Sequence, residues 1–177
     1  MTVLGFLCGD YITSIYASDI AGDIIAMAKE NLDLLSIQGL DRRKTHLEEM
    51  YRAFNKESHL NAIQSAERLS QRISSQSAPI THSVFFTDIM DAESLGQEKF
   101  IADVVFTDVP YGNLTNWSAG SLSAIDQLLD TIRKVIGVHS IVAISSDKSQ
   151  RITNPNYKRI RKMLVGKRKI EFLQKVN

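Results

Sequence analysis

An α/β fold built on a mainly parallel sheet is predicted by three features of this 177-residue sequence. Four short segments are apolar without strict alternation, as strands covered on both faces are. Amphipathic helical stretches lie between them, and such alternation of strand and helix implies parallel strands with helices packed on the sheet. Three of the four apolar runs lead directly into an aspartate, at the strand ends where sheets of this kind bind their ligands.

The expected strands are 14–18, leading into Asp19; 83–87, leading into Asp88; 102–107, leading into Asp108; and 140–144, with Asp147 a few residues beyond. Ile24, Ala28, Leu32 and Leu35 share one face of a helix over about 22–35, and Ile125, Leu128, Leu129, Ile132 and Ile136 share one before the fourth strand. Residues 4–12 read as a further helix. The alternation is interrupted over about 41–76 by two amphipathic helices. Their stripes are Leu47, Met50, Tyr51 and Phe54, then Leu60, Ile63, Ala66, Leu69 and Ile73, with a turn at 55–58. So long a connection is a packing element or a substrate-facing lid, with packing the simpler expectation. At the C-terminus, basic and apolar residues alternate around Gly166, which predicts a hairpin over about 157–176. In that hairpin Ile160, Met163 or Leu164, and Ile170, Phe172 or Leu173, are expected to face the core.

The length and the 44% apolar content suit one globular domain spanning 1–177. No apolar run approaches the ~20 residues that span a bilayer, and the N-terminus lacks the basic start of a secretory signal. The single cysteine, Cys8, precludes an internal disulfide and suits a reduced, cytoplasmic setting. His46, His59, His82 and His139 lie in different expected elements without metal-ligand spacing, so no metal is expected. Net charge is +1, yet residues 148–177 hold ten Lys/Arg and one acid, against eleven basic and nineteen acidic residues over 1–147. A basic end on a neutral chain suits an anionic partner such as nucleic acid, or a merely solvated tail.

Thr107-Asp108-Val109-Pro110-Tyr111-Gly112 is the most specific stretch. An exocyclic amine on a nucleobase is a poor nucleophile because its lone pair is delocalised into the ring. A carboxylate and a neighbouring backbone carbonyl can accept its two N–H bonds and aim the lone pair at a methyl donor. Pro110 removes a donor and fixes φ, so that carbonyls of the turn can face a pocket. Tyr111 offers a face on which a flipped-out base stacks, worth ~1–3 kcal/mol. The plainer alternative is a strand-to-turn junction with an Asp cap and a structural tyrosine. Asp19 ends a strand and precedes a helix, a position suited to ribose hydroxyls and also to an N-cap. Asp88 is placed to accept from an adenine amino group, with Ile89 packing on the ring. Asn113, Thr115 and Trp117 follow the turn, where an indole suits either base contact or burial.

These residues carry a resemblance. Ile15 to Ile20, Ala28 to Leu32, and the T-D-x-P-Y-G-x-x-T-x-W pattern from Thr107 to Trp117 resemble the AviRa family of avilamycin-resistance rRNA methyltransferases across essentially the whole chain. The resemblance implies a Rossmann-like class I methyltransferase sheet with S-adenosylmethionine as donor and a guanine of 23S rRNA as target. It assigns Asp19 and Ile20 to the cofactor ribose, Asp88 and Ile89 to its adenine, and Asp108, Pro110 and Tyr111 to catalysis, with Asp108 also near the cofactor. Tyr111, Asn113, Thr115 and Trp117 would meet the substrate. In the hairpin, Lys158, Arg159, Arg161, Lys167, Arg168 and Lys169 would hold phosphates. The D-x-P-Y chemistry points to a guanine amine, although the resemblance does not specify the atom.

One departure stands out. Such enzymes begin with a strand and a glycine-rich loop ahead of the position of Asp19, and Gly5 and Gly9 are too far apart to supply it. The expectation is a chain that starts inside the domain and lacks a central strand between those ending at Asp19 and Asp108. That leaves alternatives open: a catalytically inactive RNA-binding remnant, or a methyltransferase for another planar amine. A monomer is expected in each case.

Overall fold

The computed structural model describes residues 2–96, 99–109 and 124–176. They group into two compact units, Met1–Phe86 and Thr87–Asn177.

In the first unit α1 (Thr2–Cys8) and a 3-10 turn (Gly9–Tyr11) precede β1 (Ser14–Asp19). After α2 (Gly22–Asp33), α3 (Ile37–Phe54) and α4 (Glu57–Ser74), β2 (Thr81–Phe86) lies parallel to β1, with Asp19 opposite Phe86. Helix α3 starts at Ser36, whose hydroxyl accepts the Gly39 amide at 3.0 Å and donates to the Asp33 carbonyl at 2.8 Å, an N-cap that also ties α3 to the end of α2. Gly39 is required by that closeness, because a Cβ there would come within 1.9 Å of the Asp33 carbonyl oxygen. The helix ends at Asn55 in the left-handed region, φ 45°, which asparagine tolerates. The two-helix insert therefore starts four residues earlier than the hydrophobic stripe suggests.

Leu69 and Ile73 of α4 pack against the core of this unit, formed by Phe6, Ile15, Leu32, Leu35, Leu40 and Ile80. Arg72, beside them, caps the C-terminal end of α1 by donating to the carbonyls of Phe6 and Leu7. These contacts make the insert a packing element. Phe54 and Leu60 depart from the expected stripe and are exposed, since they flank the turn between the two helices.

In the second unit the sheet order is β3-β4-β6-β5, with β3 (Ala102–Asp108), β4 (Ile136–Asp147), β5 (Tyr157–Val165) and β6 (Arg168–Lys175). β3 and β4 are parallel, whereas β4–β6 and β5–β6 are antiparallel. Short α5 (Ala92–Gly96) precedes β3, and α6 (Ala124–Ile132) precedes β4. β4 begins four residues ahead of the expected strand. The register shifts at its start, and the Ser140 hydroxyl steadies the irregularity by donating to the Ala102 carbonyl at 2.7 Å and accepting the Gly137 amide at 2.9 Å. Ile125, Leu128, Leu129 and Ile132 of α6 join Val109, Val142, Ile144, Tyr157 and Leu173 in the core. Each such side chain contributes about 1.5–3 kcal/mol when fully buried. Among the described residues no strand pairs with the second edge of β1 or of β3, and no helix is long and apolar enough to cross a membrane.

The C-terminal hairpin forms around Gly166, which takes φ 56°. Leu173 faces the core as one of the expected alternatives, and the rest of the inward face differs from expectation. β5 is the outermost strand, and Ile160, Met163 and Leu164 remain exposed. On β6 the buried alternation falls on Lys169, Glu171 and Leu173, while Ile170 and Phe172 are only half-buried. A one-residue change of phase sends the opposite set of side chains inward.

Candidate active site at the strand ends

The strand-end aspartates fall into two kinds. Asp19 Oδ1 accepts the Ala21 amide at 2.9 Å, Asp88 Oδ1 the Met90 amide at 2.8 Å, and Asp147 Oδ1 the Ser149 amide at 2.9 Å. Each carboxylate thus closes a turn on the amide two residues ahead. The hydroxyl and amide of Ser149 hold the Asp147 carboxyl below its ordinary range.

Asp108 cannot do the same. The residue two positions ahead is Pro110, which has no N–H. Its partner comes from sixty residues along the chain. Arg168 Nη1 donates to Asp108 Oδ2 at 2.6 Å and Arg168 Nη2 pairs with Asp108 Oδ1, a two-pronged ion pair. The same guanidinium donates to the Val109 carbonyl at 3.2 Å and the Ser145 carbonyl at 3.4 Å. The Val109 amide in turn donates to the Ser145 carbonyl at 2.8 Å, and Val109 is 1% exposed, so the chain leaves β3 along a fixed path. One arginine therefore grips both acceptors that the D-x-P-Y chemistry calls for, the carboxylate and the adjoining carbonyl.

β6 begins at Arg168, opposite Asp147 on β4, which brings the hairpin turn to the C-terminal end of β3 and β4. Of the cations expected to hold phosphates, Lys158, Arg159, Arg161 and Lys167 are exposed. Lys169 is a correction: it is 4% exposed, and its ammonium is held by Glu171 Oε2 at 2.5 Å and by the Gln150 carbonyl. Arg159 likewise donates to Glu171 Oε1 at 2.8 Å. Burial pushes the Glu171 carboxyl up, but hydrogen bonds and charge from Lys169 and Arg159 outweigh it and hold the group below the usual glutamate range. The physical reason for the correction is that an almost fully buried carboxylate needs paired cations.

Asp19 is half-buried and Ile20 is 59% exposed. Asp88 lies two residues past the end of β2 and is exposed, and Ile89 packs on the core of the second unit. Pro110, Tyr111, Asn113, Thr115 and Trp117 lie outside the described residues. Among the described residues no group of His, Cys, Asp and Glu is placed to hold a metal ion.

Sequence reasoning did not find the Arg168–Asp108 pair, because nothing local links residues so far apart. It also missed Asp126, which is buried in the first turn of α6 and accepts the amides of Thr153 at 3.0 Å and Asn154 at 2.9 Å. The Lys169–Glu171 pair did leave a signal, a lone acid at strand spacing within a basic stretch.

Parallel strands that end in aspartates, packed with helices in each unit, one aspartate opening the D-x-P-Y sequence, are features of a class I methyltransferase. The chain belongs to the rRNA methyltransferase AviRa family, whose model matches residues 1–168. It is 31% identical over 172 residues to the 23S rRNA (guanine(2535)-N(1))-methyltransferase of Streptomyces viridochromogenes, covering 95% of this chain and 68% of that protein. Two solved structures of the rRNA methyltransferase aviRa from Streptomyces viridochromogenes superpose with a TM-score of 0.84 at 29% identity. The match covers 98% of this chain and 70% of each of those chains.

Proposed function

We propose that this chain methylates a guanine base of 23S rRNA with S-adenosylmethionine as donor, its two units working as one methyltransferase domain. The observation that carries the reading is the Asp108 carboxylate at the end of β3, held together with the Val109 carbonyl where the D-x-P-Y sequence begins. The S. viridochromogenes relative is named for transfer to ring nitrogen N1. That atom, which neighbours the exocyclic amine on the same edge of guanine, replaces the amine as the position proposed here.

The residues present fit the donor. Asp19 commits Oδ1 to the Ala21 amide and has Oδ2 left for a ribose hydroxyl, with Ile20 beside it. Asp88 spends Oδ1 on the Met90 amide and can take the adenine amino group on Oδ2, with Ile89 alongside. When bound, the donor supplies a methyl group on a positively charged sulfur. Asp108 accepts the N1–H of guanine, and Tyr111 stacks on the base. Loss of the N1 proton to the carboxylate or to water accompanies formation of the N–CH3 bond. Positioning supplies most of the rate, because methyl transfer needs an in-line approach more than a strong base. Lys158, Arg161 and Lys167 hold phosphates, with Asn113, Thr115 and Trp117 contacting nearby nucleotides.

The test is incubation of the chain with 23S rRNA and labelled S-adenosylmethionine, followed by mass spectrometry of the digested nucleosides. Label in 1-methylguanosine is expected. Label in N2-methylguanosine would return the amine to favour. RNA binding without label would point to a catalytically inactive RNA-binding remnant, and label entering only small amines or protein would sink the rRNA reading.

A further inference from the structure

We propose that Arg168 is a positioning residue for methyl transfer rather than a phosphate contact: it holds the Asp108 carboxylate and the Val109 carbonyl in the orientation that receives the target base. The proposal rests on the guanine-methyltransferase reading above and adds to it the group that makes the motif rigid. Three observations converge. Pro110 denies Asp108 the amide two residues ahead that the other strand-end aspartates use, so its carboxylate cannot close the same turn. Arg168 supplies an anchor with both prongs of its guanidinium, at 2.6 Å on Oδ2 and through Nη2 on Oδ1. The same Nη2 reaches the Val109 and Ser145 carbonyls, which ties the carboxylate to the backbone of both β3 and β4.

A planar five-donor group suits this task and an ammonium does not, because only the fork matches both carboxylate oxygens at once. The carboxylate keeps room for a substrate. Asp108 is 62% exposed while Arg168 is 21% exposed, so the arginine approaches from the inner side and leaves lone pairs outward. A carboxylate has about four lone-pair positions, and the fork uses two of them. A misplacement near 1 Å at a reacting group costs on the order of 10²-fold in rate, which is the effect Arg168 would prevent.

The experiment compares wild type with Arg168→Lys, and each in an Asp108→Asn background, using the labelled 23S rRNA assay with kcat and KM measured separately. Arg168→Lys is expected to lower kcat on the order of 10²-fold, to leave KM for RNA and its salt dependence within about twofold, and to cause no further loss once Asp108 is Asn. Retained kcat in Arg168→Lys would overturn the proposal, above all if Arg168→Ala then raised KM and reduced the salt slope by ~1, the mark of a phosphate contact. Should Arg168→Lys fail to fold by circular dichroism, the guanidinium N–H signals decide. They should be slow-exchanging in the wild-type chain and lost in Asp108→Asn, and their absence from the wild type would overturn the proposal. A wild-type chain that methylates no rRNA while showing the protected guanidinium would instead bring down the functional reading, and the positioning role with it.

Discussion

The corner at Asp19 and the corner at Asp108 look alike in sequence and differ in construction. Each aspartate ends a parallel strand. Asp19 closes a turn on the Ala21 amide, a bond between neighbours that exists wherever the local chain folds. Asp108 is followed by Val109 and Pro110, has no such amide, and depends on Arg168 from the first position of β6. A carboxylate anchored by its own turn suits the fixed part of a site. One anchored through the sheet assembles only when β3, β4 and β6 are all in register, so its geometry is a product of the whole unit.

Four substitutions would break or sharpen that contrast. The largest effect is expected from Asp108→Asn, which keeps the shape and removes the charge proposed to accept the base proton. Methyl transfer should fall by about 10² to 10⁴-fold with little change in RNA affinity, read from single-turnover assays alongside filter binding. Next is Glu171→Gln, a carboxylate held within the hairpin by Lys169 and Arg159, whose loss strands the Lys169 ammonium in the interior. Urea unfolding should show a loss of about 3 kcal/mol.

The wild-type pH dependence follows from the same group. The folded-state carboxyl of Glu171 lies below the unfolded value of about 4.3. Its contribution is therefore complete above that value and disappears as pH falls through the folded one. Glu171→Gln should lack this component of acid destabilisation below about pH 4.3.

Pro110→Ala comes third and tests the comparison most directly. It returns an N–H two residues beyond Asp108, so the carboxylate can close the local turn that Asp19 makes. We expect kcat to drop roughly tenfold, equivalent to about 1.4 kcal/mol, as Arg168 loses part of its hold. Unchanged kcat would mean that the proline matters only for the path of the turn. The smallest effect is expected at Asp19→Ala, where loss of the turn costs about 1 kcal/mol of stability. Calorimetric titration with S-adenosylhomocysteine should show about tenfold weaker binding, again about 1.4 kcal/mol. Unaltered affinity would reduce Asp19 to a structural cap.

By itself the sequence determined the strand–helix alternation, the strand-end acids, and the Asp-x-Pro order that follows β3. All are read from neighbours, because hydrophobic period and turn chemistry act over a few residues. It also carried the asymmetry between Asp19 and Asp108, since the missing N–H at Pro110 is a covalent fact. Only the tertiary structure decided which cations face solvent. Arg168 and Lys169 are adjacent residues on a strand, so their side chains leave opposite faces. One reaches Asp108 and the other turns inward to Glu171. Strand spacing places Lys169 and Glu171 on one face, but which face turns inward is set by the pairing of β6 with β4 and β5. The Arg168–Asp108 pair, sixty residues apart, exists only after that pairing has formed.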